Sequence, residues 1–220
     1  MDLRTKRKIE MNDQKEKRKQ EVIEAAVKVL KEKGIEKSKM ADIAEKAEVG
    51  VASVYRYFKT KPELVIATGT EFWREEIDSL YHNLNSLDFD ELNGLEKVNR
   101  ILNVFLILFQ EQSDFIRFIE EFDNYIVKEQ IHPDKLQTYE KGIIDLKPVM
   151  FEALKQGKKD GSVRKDIDDN KFYVTITHSL MTLCQKLTIR GTILKSDKEI
   201  GSEVQIRLLI EMALAYIKND

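Results

Sequence analysis

The chain has 220 residues, 42% of them hydrophobic and 35% charged, with three prolines, nine glycines and a single cysteine. That balance favours long solvated helices over a turn-rich sheet protein, and the length permits one large domain or a small domain joined to a larger one. Cys184 alone excludes an intrachain disulfide and a zinc cluster. No apolar run approaches the roughly 20 residues that span a bilayer, so the expected location is the cytoplasm. The net charge of −2 hides an asymmetry, because residues 1–62 carry 17 Lys/Arg against 11 Asp/Glu and the remainder carries 20 against 28. A basic end on an acidic body suits a partner that bears phosphates and is touched by one end only.

The expected fold is all-α. The first twelve or so residues lack an apolar stripe and read as a mobile arm, whose Arg4, Lys6, Arg7 and Lys8 could follow a DNA groove. The first long helix is expected over 14–33, with Asp13 as N-cap, Val22, Ile23, Ala26, Val27 and Leu30 on one stripe, and Gly34 at its end. Ser38 is placed to cap a short second helix that runs through Lys46 and turns Met40, Ile43, Ala44 and Ala47 inward. A third helix begins near Val51 with Val54, Tyr55 and Phe58 on its buried side. Thr60 opens a fourth with a Thr60-x-x-Glu63 capping box and Pro62 in the first turn, running to about Leu84.

A loop at 85–94 is followed by helices expected at 95–111, 115–130, 134–158, 170–190 and 198–218. Pro148 should kink or split the third of these, and the turn at 157–168 should precede the last two. The one compositional boundary lies near residue 62. It suggests an arm and three-helix domain over 1–62 and a larger helical domain over 63–220.

Two short helices joined by a three- to four-residue turn match helix-turn-helix spacing, with the small Ala44 where they cross. A recognition helix enters the major groove by its N-terminal end, where bulky residues would hold it off the bases. Here that end is Val51, Ala52 and Ser53. Ala52 suits a thymine methyl, Ser53 a base edge or phosphate, and Arg56 a guanine. Tyr57 is better placed for a phosphate, as is Lys61 at the next helix start. Lys39, ahead of the second helix, completes the candidate DNA contacts.

These residues carry a resemblance. The stretch from Lys19 to Ala67, with the first-helix pattern ending in Gly34, "DIAEKA", Tyr55-x-x-Phe58 and Lys61 ahead of Leu64, resembles the DNA-binding domain of the tetracycline-repressor (TetR) family. The resemblance covers about 50 residues; the other 150 match only in architecture. Where that family has Gly-Val-Ser this chain has Glu48, Val49 and Gly50. Either Glu48 takes a left-handed backbone at a cost of about 1–2 kcal/mol, or Gly50 lets the turn bend later.

In the larger part, five of the ten phenylalanines fall between 105 and 122. Such aromatics form a helical core in the plain reading, and the resemblance implies a cavity for an apolar or amphipathic small molecule. Its candidate lining is Trp73, Phe105, Phe109, Phe118, Phe122, Tyr125, Met150, Phe151, Tyr173 and Met181. The last two helices are apolar on more than one face, so one face needs a partner. A homodimer through Ile176, Leu180, Leu183, Leu187, Leu208, Leu209, Met212 and Tyr216 is the expectation, and it is also what the resemblance implies. Two-fold symmetry then predicts a palindromic operator with half-sites about 34–36 Å apart or a multiple of that.

Enzymatic signatures are poor. His82, His132 and His178 fit no metal-binding spacing, there is no phosphate-cradling loop, and "SVRK" at 162–165 sits in a polar turn without companion motifs. No catalytic residue, metal ligand or cofactor is expected. The reading is therefore a ligand-responsive transcriptional regulator, most simply a repressor that a small effector releases from duplex DNA. Its rivals are a helical protein–protein adaptor, an enzyme using the aromatic cavity, and a DNA-binding regulator controlled by a protein partner.

Overall fold

The computed structural model describes residues 2–84, 89–143, 146–191 and 193–219. Eleven α-helices are found among them: α1 (Leu3–Lys33), α2 (Met40–Lys46), α3 (Val51–Tyr57), α4 (Lys61–Leu84), α5 (Gly94–Glu111), α6 (Ser113–Lys128), α7 (Gln137–Gly142), α8 (Lys147–Asp160), α9 (Asp169–Ile189), α10 (Lys195–Lys198) and α11 (Ser202–Ile217). The described residues contain no strand, only an isolated bridge between Val163 and Lys218. None of the helices is long and apolar enough to cross a membrane.

The chain forms two compact units, one of Met1–Glu75 with Phe118–Ile143 and one of Glu76–Arg117 with Ile144–Asp220. The first unit is thus larger than residues 1–62, because the start of α4 and most of α6 pack with the N-terminal helices. Its core joins Val22, Ala26 and Val29 of α1 to Ile43 and Ala44 of α2, Val54 of α3, Phe58 and Leu64. Continuous with the N-terminal part is an aromatic row: Phe72 against Phe118 at 5.0 Å between ring centroids, Phe118 against Phe122 at 5.9 Å, and Phe122 stacked on Tyr139 at 4.3 Å.

Several expectations are corrected. The first twelve residues are not a mobile arm: α1 starts at Leu3, and Asp13 lies inside it rather than capping it. Lys, Arg, Glu, Gln and Met are good helix formers, and extending an anchored helix avoids the nucleation cost. Ser38 does not cap α2. Its buried hydroxyl donates to the Gly34 carbonyl at 2.6 Å, while the Lys39 amide donates to the Asp42 carboxylate at 2.7 Å. At α4 the Glu63 amide donates to Thr60 Oγ1 at 3.3 Å, but the Glu63 carboxylate accepts from the Lys59 amide rather than from Thr60.

Pro148 splits the expected 134–158 helix in two, entering the first turn of α8, where its missing N–H removes no helical bond. Of the expected loop at 85–94, residues 85–88 lie outside the described residues; a 3₁₀ turn at Phe89–Glu91 and the N-cap Asn93 follow.

In the second unit α5 packs on α8, α9 and α11. Gly157 is not a turn residue; it lies within α8, and a Cβ built on Gly94 would stand 2.1 Å from its nitrogen. Glycine at 94 is what lets α5 approach α8 so closely; a Cβ on Gly157 would instead stand 2.4 Å from Val163 Cγ2. The turn begins at Gly161, whose φ of 86° closes α8. Phe105, Met150, Ile176, Leu180, Cys184 and Leu187 are buried here, with Ile206, Ile210, Ala213 and Ile217 from α11. The Cys184 thiol donates to the Phe105 carbonyl at 3.5 Å, and burial pushes its pKa up to about 12.

Candidate DNA-binding surface

The turn between α2 and α3 is closed by two backbone bonds, Val49 N–H to the Ala44 carbonyl at 3.0 Å and Glu48 N–H to the Glu45 carbonyl at 3.1 Å. This is the Schellman pattern, which needs a left-handed residue at its penultimate position and sends the next, apolar residue back onto the helix. Glu48 occupies that position at φ 54°, and Val49 packs on the core. Of the two alternatives for the turn, the left-handed Glu48 is the one adopted. Gly50 instead has φ −67° and ψ 145° and serves as N-cap of α3, where its carbonyl accepts from Ser53 N–H at 2.8 Å.

Val54 is fully buried in α3, and Phe58 follows it into the core with Tyr57 packed at its margin. That phase leaves Val51, Ala52, Tyr55 and Arg56 exposed and Ser53 half-buried. Tyr55 was expected inside; it is 49% exposed, and Tyr57, expected outside, is the half-buried one. Tyr55 stands one turn from Val51, so it belongs with the candidate DNA contacts.

The polar candidates differ in freedom. Lys39 is exposed. The Arg56 guanidinium lies 5.2 Å from the Tyr57 ring centroid and donates to its hydroxyl at 3.3 Å, a pairing that stiffens a side chain otherwise open to solvent. Lys61 turns inward: its ammonium donates to the Glu36 carbonyl at 3.3 Å and lies 5.8 Å from the Tyr125 ring centroid. Burial lowers its pKa, against nearby carboxylates led by Glu36 that raise it. To meet a phosphate it must give up the Glu36 contact.

The α1–α2 junction is held by a residue that sequence reasoning missed. Glu121 of α6 accepts from Ile35 N–H at 2.6 Å, and a Cβ on Gly34, whose φ is 78°, would stand 2.9 Å from the same carboxylate. Lys128, one helical face along, pairs with Glu36 at 3.0 Å. No local pattern marks Glu121, since its partner is 86 residues away.

The ten aromatic and Met candidates separate into two groups. Trp73, Phe118, Phe122 and Tyr125 are buried in the first unit, where Trp73 Nε1 donates to the Tyr139 hydroxyl at 3.0 Å; Tyr139, which was not foreseen, ties them together. Phe105 and Met150 are buried in the second unit, Phe109 and Met181 are half-buried there, and Phe151 meets Tyr173 edge-on at 6.2 Å. A groove of about 940 Å³ in the second unit is lined by none of them but by Phe89, Lys97, Pro148 and neighbours.

The interface candidates also divide. Ile176, Leu180 and Leu187 are buried within the unit and do not belong to an outer face, whereas Leu183 and Leu209 are half-buried. Leu208, Met212 and Tyr216 are 50%, 61% and 56% exposed, with Val204 on the same side at 56%.

Residues 22–68 match the family described as bacterial regulatory proteins, tetR family. Over 192 residues the chain is 24% identical to the HTH-type transcriptional regulator LuxR of Vibrio harveyi, covering 87% of each chain. Over 108 residues it is 28% identical to the HTH-type nicotine-responsive transcriptional repressor HdnoR of Paenarthrobacter nicotinovorans, 48% of this chain and 52% of that one. Its fold matches that of the transcriptional regulator FadR from Bacillus subtilis, solved in complex with stearoyl-CoA, with a TM-score of 0.59 at 18% identity over 89% of this chain and 97% of that one. The matched segment coincides with the α1–α4 core and its outward α3 face, so residues 22–68 form a DNA-binding domain of the tetR family of bacterial regulatory proteins.

Proposed function

We propose that the chain is a cytoplasmic, homodimeric repressor that reads a palindromic operator through α3 of each copy and is released by a small apolar or amphipathic effector. The observation that carries the reading is the outward face of α3, Val51, Ala52, Tyr55 and Arg56, small at its entering end and owed to no core contact. The exposed apolar side of α11, with Leu208, Met212 and Tyr216, supports pairing of two copies. The effector class is supported by the aromatic content of α4–α6 and by relatives named as nicotine-responsive or solved with stearoyl-CoA. Such an effector shifts DNA binding only by its differential affinity for two arrangements, typically about 1–3 kcal/mol. The relatives are regulators, in keeping with a chain that performs no catalysis.

A footprint of the purified protein on the promoter DNA beside its own gene tests the reading. The expected result is a protected inverted repeat with half-site centres about 34–36 Å apart or a multiple of that. Tyr55→Ala and Arg56→Ala should each abolish protection at low protein concentration. An adaptor would leave the DNA untouched, whatever the variant. The close aromatic packing of Phe118, Phe122 and Tyr139 is the observation that speaks for a second reading, control by a protein partner. Titration with stearoyl-CoA and apolar amines separates the two: loss of the footprint supports the effector.

A further inference from the structure

The aromatic row of the first unit is closed as it stands. Phe122 and Tyr139 stack at 4.3 Å between ring centroids, and a Cβ on Gly69 would stand 3.1 Å from the Tyr139 ring and 3.3 Å from that of Phe122. Phe72, Trp73, Phe118 and Phe122 are buried side chains of α4 and α6. Tyr139 comes from elsewhere, the six-residue α7. A buried tyrosine in such a row is ordinarily plain core, and three observations set this one apart.

First, it holds its segment alone. Of the described side chains from Ile126 to Ile143, Tyr139 is the only buried one; Gln130 turns the chain out of α6 at φ 50°, and Pro133 begins a 3₁₀ turn. A strap with so few buried contacts opens locally at far lower cost than the whole fold. Second, its hydroxyl is only half-satisfied. It accepts from Trp73 Nε1 at 3.0 Å, and no described residue accepts its own proton. A buried donor without an acceptor is unfavourable, whereas a group with a lone pair and no proton would make the same bond free of that cost. Third, α4 is shaped to the ring: glycine at 69, unfavourable inside a helix, leaves a flat slot that a larger residue would crowd from the side opposite neither ring could yield without shifting.

We propose that Tyr139 is a removable plug and that the slot it fills, between Phe122, Gly69 and Trp73, is the effector site, taking a small flat ring with an uncharged acceptor in line with Trp73 Nε1. The inference rests on the effector reading above and deepens it: the ring replaces that of Tyr139, the acceptor replaces its hydroxyl, and α7 swings out with the strap. Anionic rings are rejected, because burial and the Asp123 carboxylate already hold the Tyr139 hydroxyl in its neutral form. The close packing of Phe122 and Tyr139 is then the closed state of the site.

Trp73 is the sole tryptophan, so its emission reports the slot directly. Acetophenone, a flat ring with a carbonyl acceptor, is titrated into the unmodified protein beside toluene, which lacks the acceptor, and benzoate, which carries charge. Acetophenone should shift the Trp73 emission saturably and speed tryptic cleavage after the exposed strap residues Lys135 and Lys141 several-fold, and benzoate should do neither. Toluene should need at least about tenfold more for the same cleavage, the loss expected when the Trp73 donor is left unpaired. In Trp73→Phe, which has no donor, that preference should vanish. Tyr139→Ala removes the plug and should bind acetophenone at least about tenfold more tightly than the unmodified protein does. Binding by Tyr139→Ala alone, with the unmodified protein unresponsive up to the solubility of acetophenone, would make Tyr139 a fixed core residue and overturn the inference. Equal responses to acetophenone and toluene would overturn it too. An effector that lifts the footprint without changing Trp73 emission or strap cleavage also overturns it, while leaving the effector reading intact.

Discussion

Glu48 offers the sharpest test of the turn that aims α3. It is exposed, and its φ of 54° places it in the left-handed region. That backbone costs an L-residue about 1–2 kcal/mol. Glycine escapes the cost but gives back about 0.5–1 kcal/mol through its freedom in the unfolded chain. Glu48→Gly should therefore stabilise the fold by about 0.5–1 kcal/mol, which for a chain of this size raises Tm by about 1–4 °C. Glu48→Ala is the control, because it removes the same carboxylate and keeps the strained Cβ. Thermal and urea unfolding of the three proteins would be compared, with DNA affinity alongside. Both variants remove a negative charge beside α3 and should bind duplex more tightly to the same extent, whereas only the glycine variant should melt higher. A Glu48→Gly protein that unfolds at or below Glu48→Ala would refute the assignment of strain to this residue.

Glu121→Ala leaves the Ile35 N–H without its charged acceptor in a fully buried residue and should cost about 1.5–3 kcal/mol by urea unfolding, with Glu121→Gln losing less; a change under about 0.5 kcal/mol in both would mean that the junction is held by packing alone. Leu208→Glu/Met212→Glu places two charges on exposed positions, so the monomer should fold normally while light scattering shows the loss of the dimer; an unchanged mass would move the interface elsewhere. Cys184, a buried thiol with its pKa pushed up to about 12, should resist thiol reagents near neutral pH in the folded protein and react fully in urea. The sign follows from protonation, since only the thiolate attacks and burial keeps the group a thiol until pH approaches 12; rapid labelling of folded protein at pH 8 would contradict the packing of α9 on α5.

How much of this was legible in the sequence depended on how local each signal is. The α2–α3 spacing, Gly34 and the α4 start are fixed by residues within a turn or two of one another, and they were readable. Tyr55 was misplaced because a seven-residue helix has too few turns to fix its phase from apolarity alone: Val51, Val54, Tyr55, Tyr57 and Phe58 are all apolar, and only tertiary packing of Val54 and Phe58 selects among them. On α9 Ile176, Leu180, Leu183 and Leu187 were visible at helical spacing, but nothing in that spacing says which of them meet their own unit, as Ile176, Leu180 and Leu187 do, and which could face another copy. Glu121 and Tyr139 act across the chain and left no local trace. The start of α1 was missed because it has no apolar stripe, and its helix follows instead from good helix formers extending a helix anchored from Val22 onward.

The distribution of charge within the first unit bears on where DNA affinity comes from. Many of its cations are already engaged: Lys31 with Glu75, Lys33 with Asp42, Lys46 with Glu32, Lys128 with Glu36, and Lys61 with the Glu36 carbonyl. The Lys33 bond is firm enough to hold the Asp42 carboxyl below its ordinary range, helped by the Lys39 amide. Helix α3 itself carries one cation, Arg56, and that one leans on Tyr57. A recognition helix of this kind can rank sequences but supplies little of the salt-dependent attraction on which the encounter depends. If α3 acted alone, the salt slope per protomer would stay at about 1. A measured slope of about 4 or more per protomer therefore requires phosphate contacts from cations outside α3, among which Lys39 and Lys59 are exposed beside the helix-turn-helix.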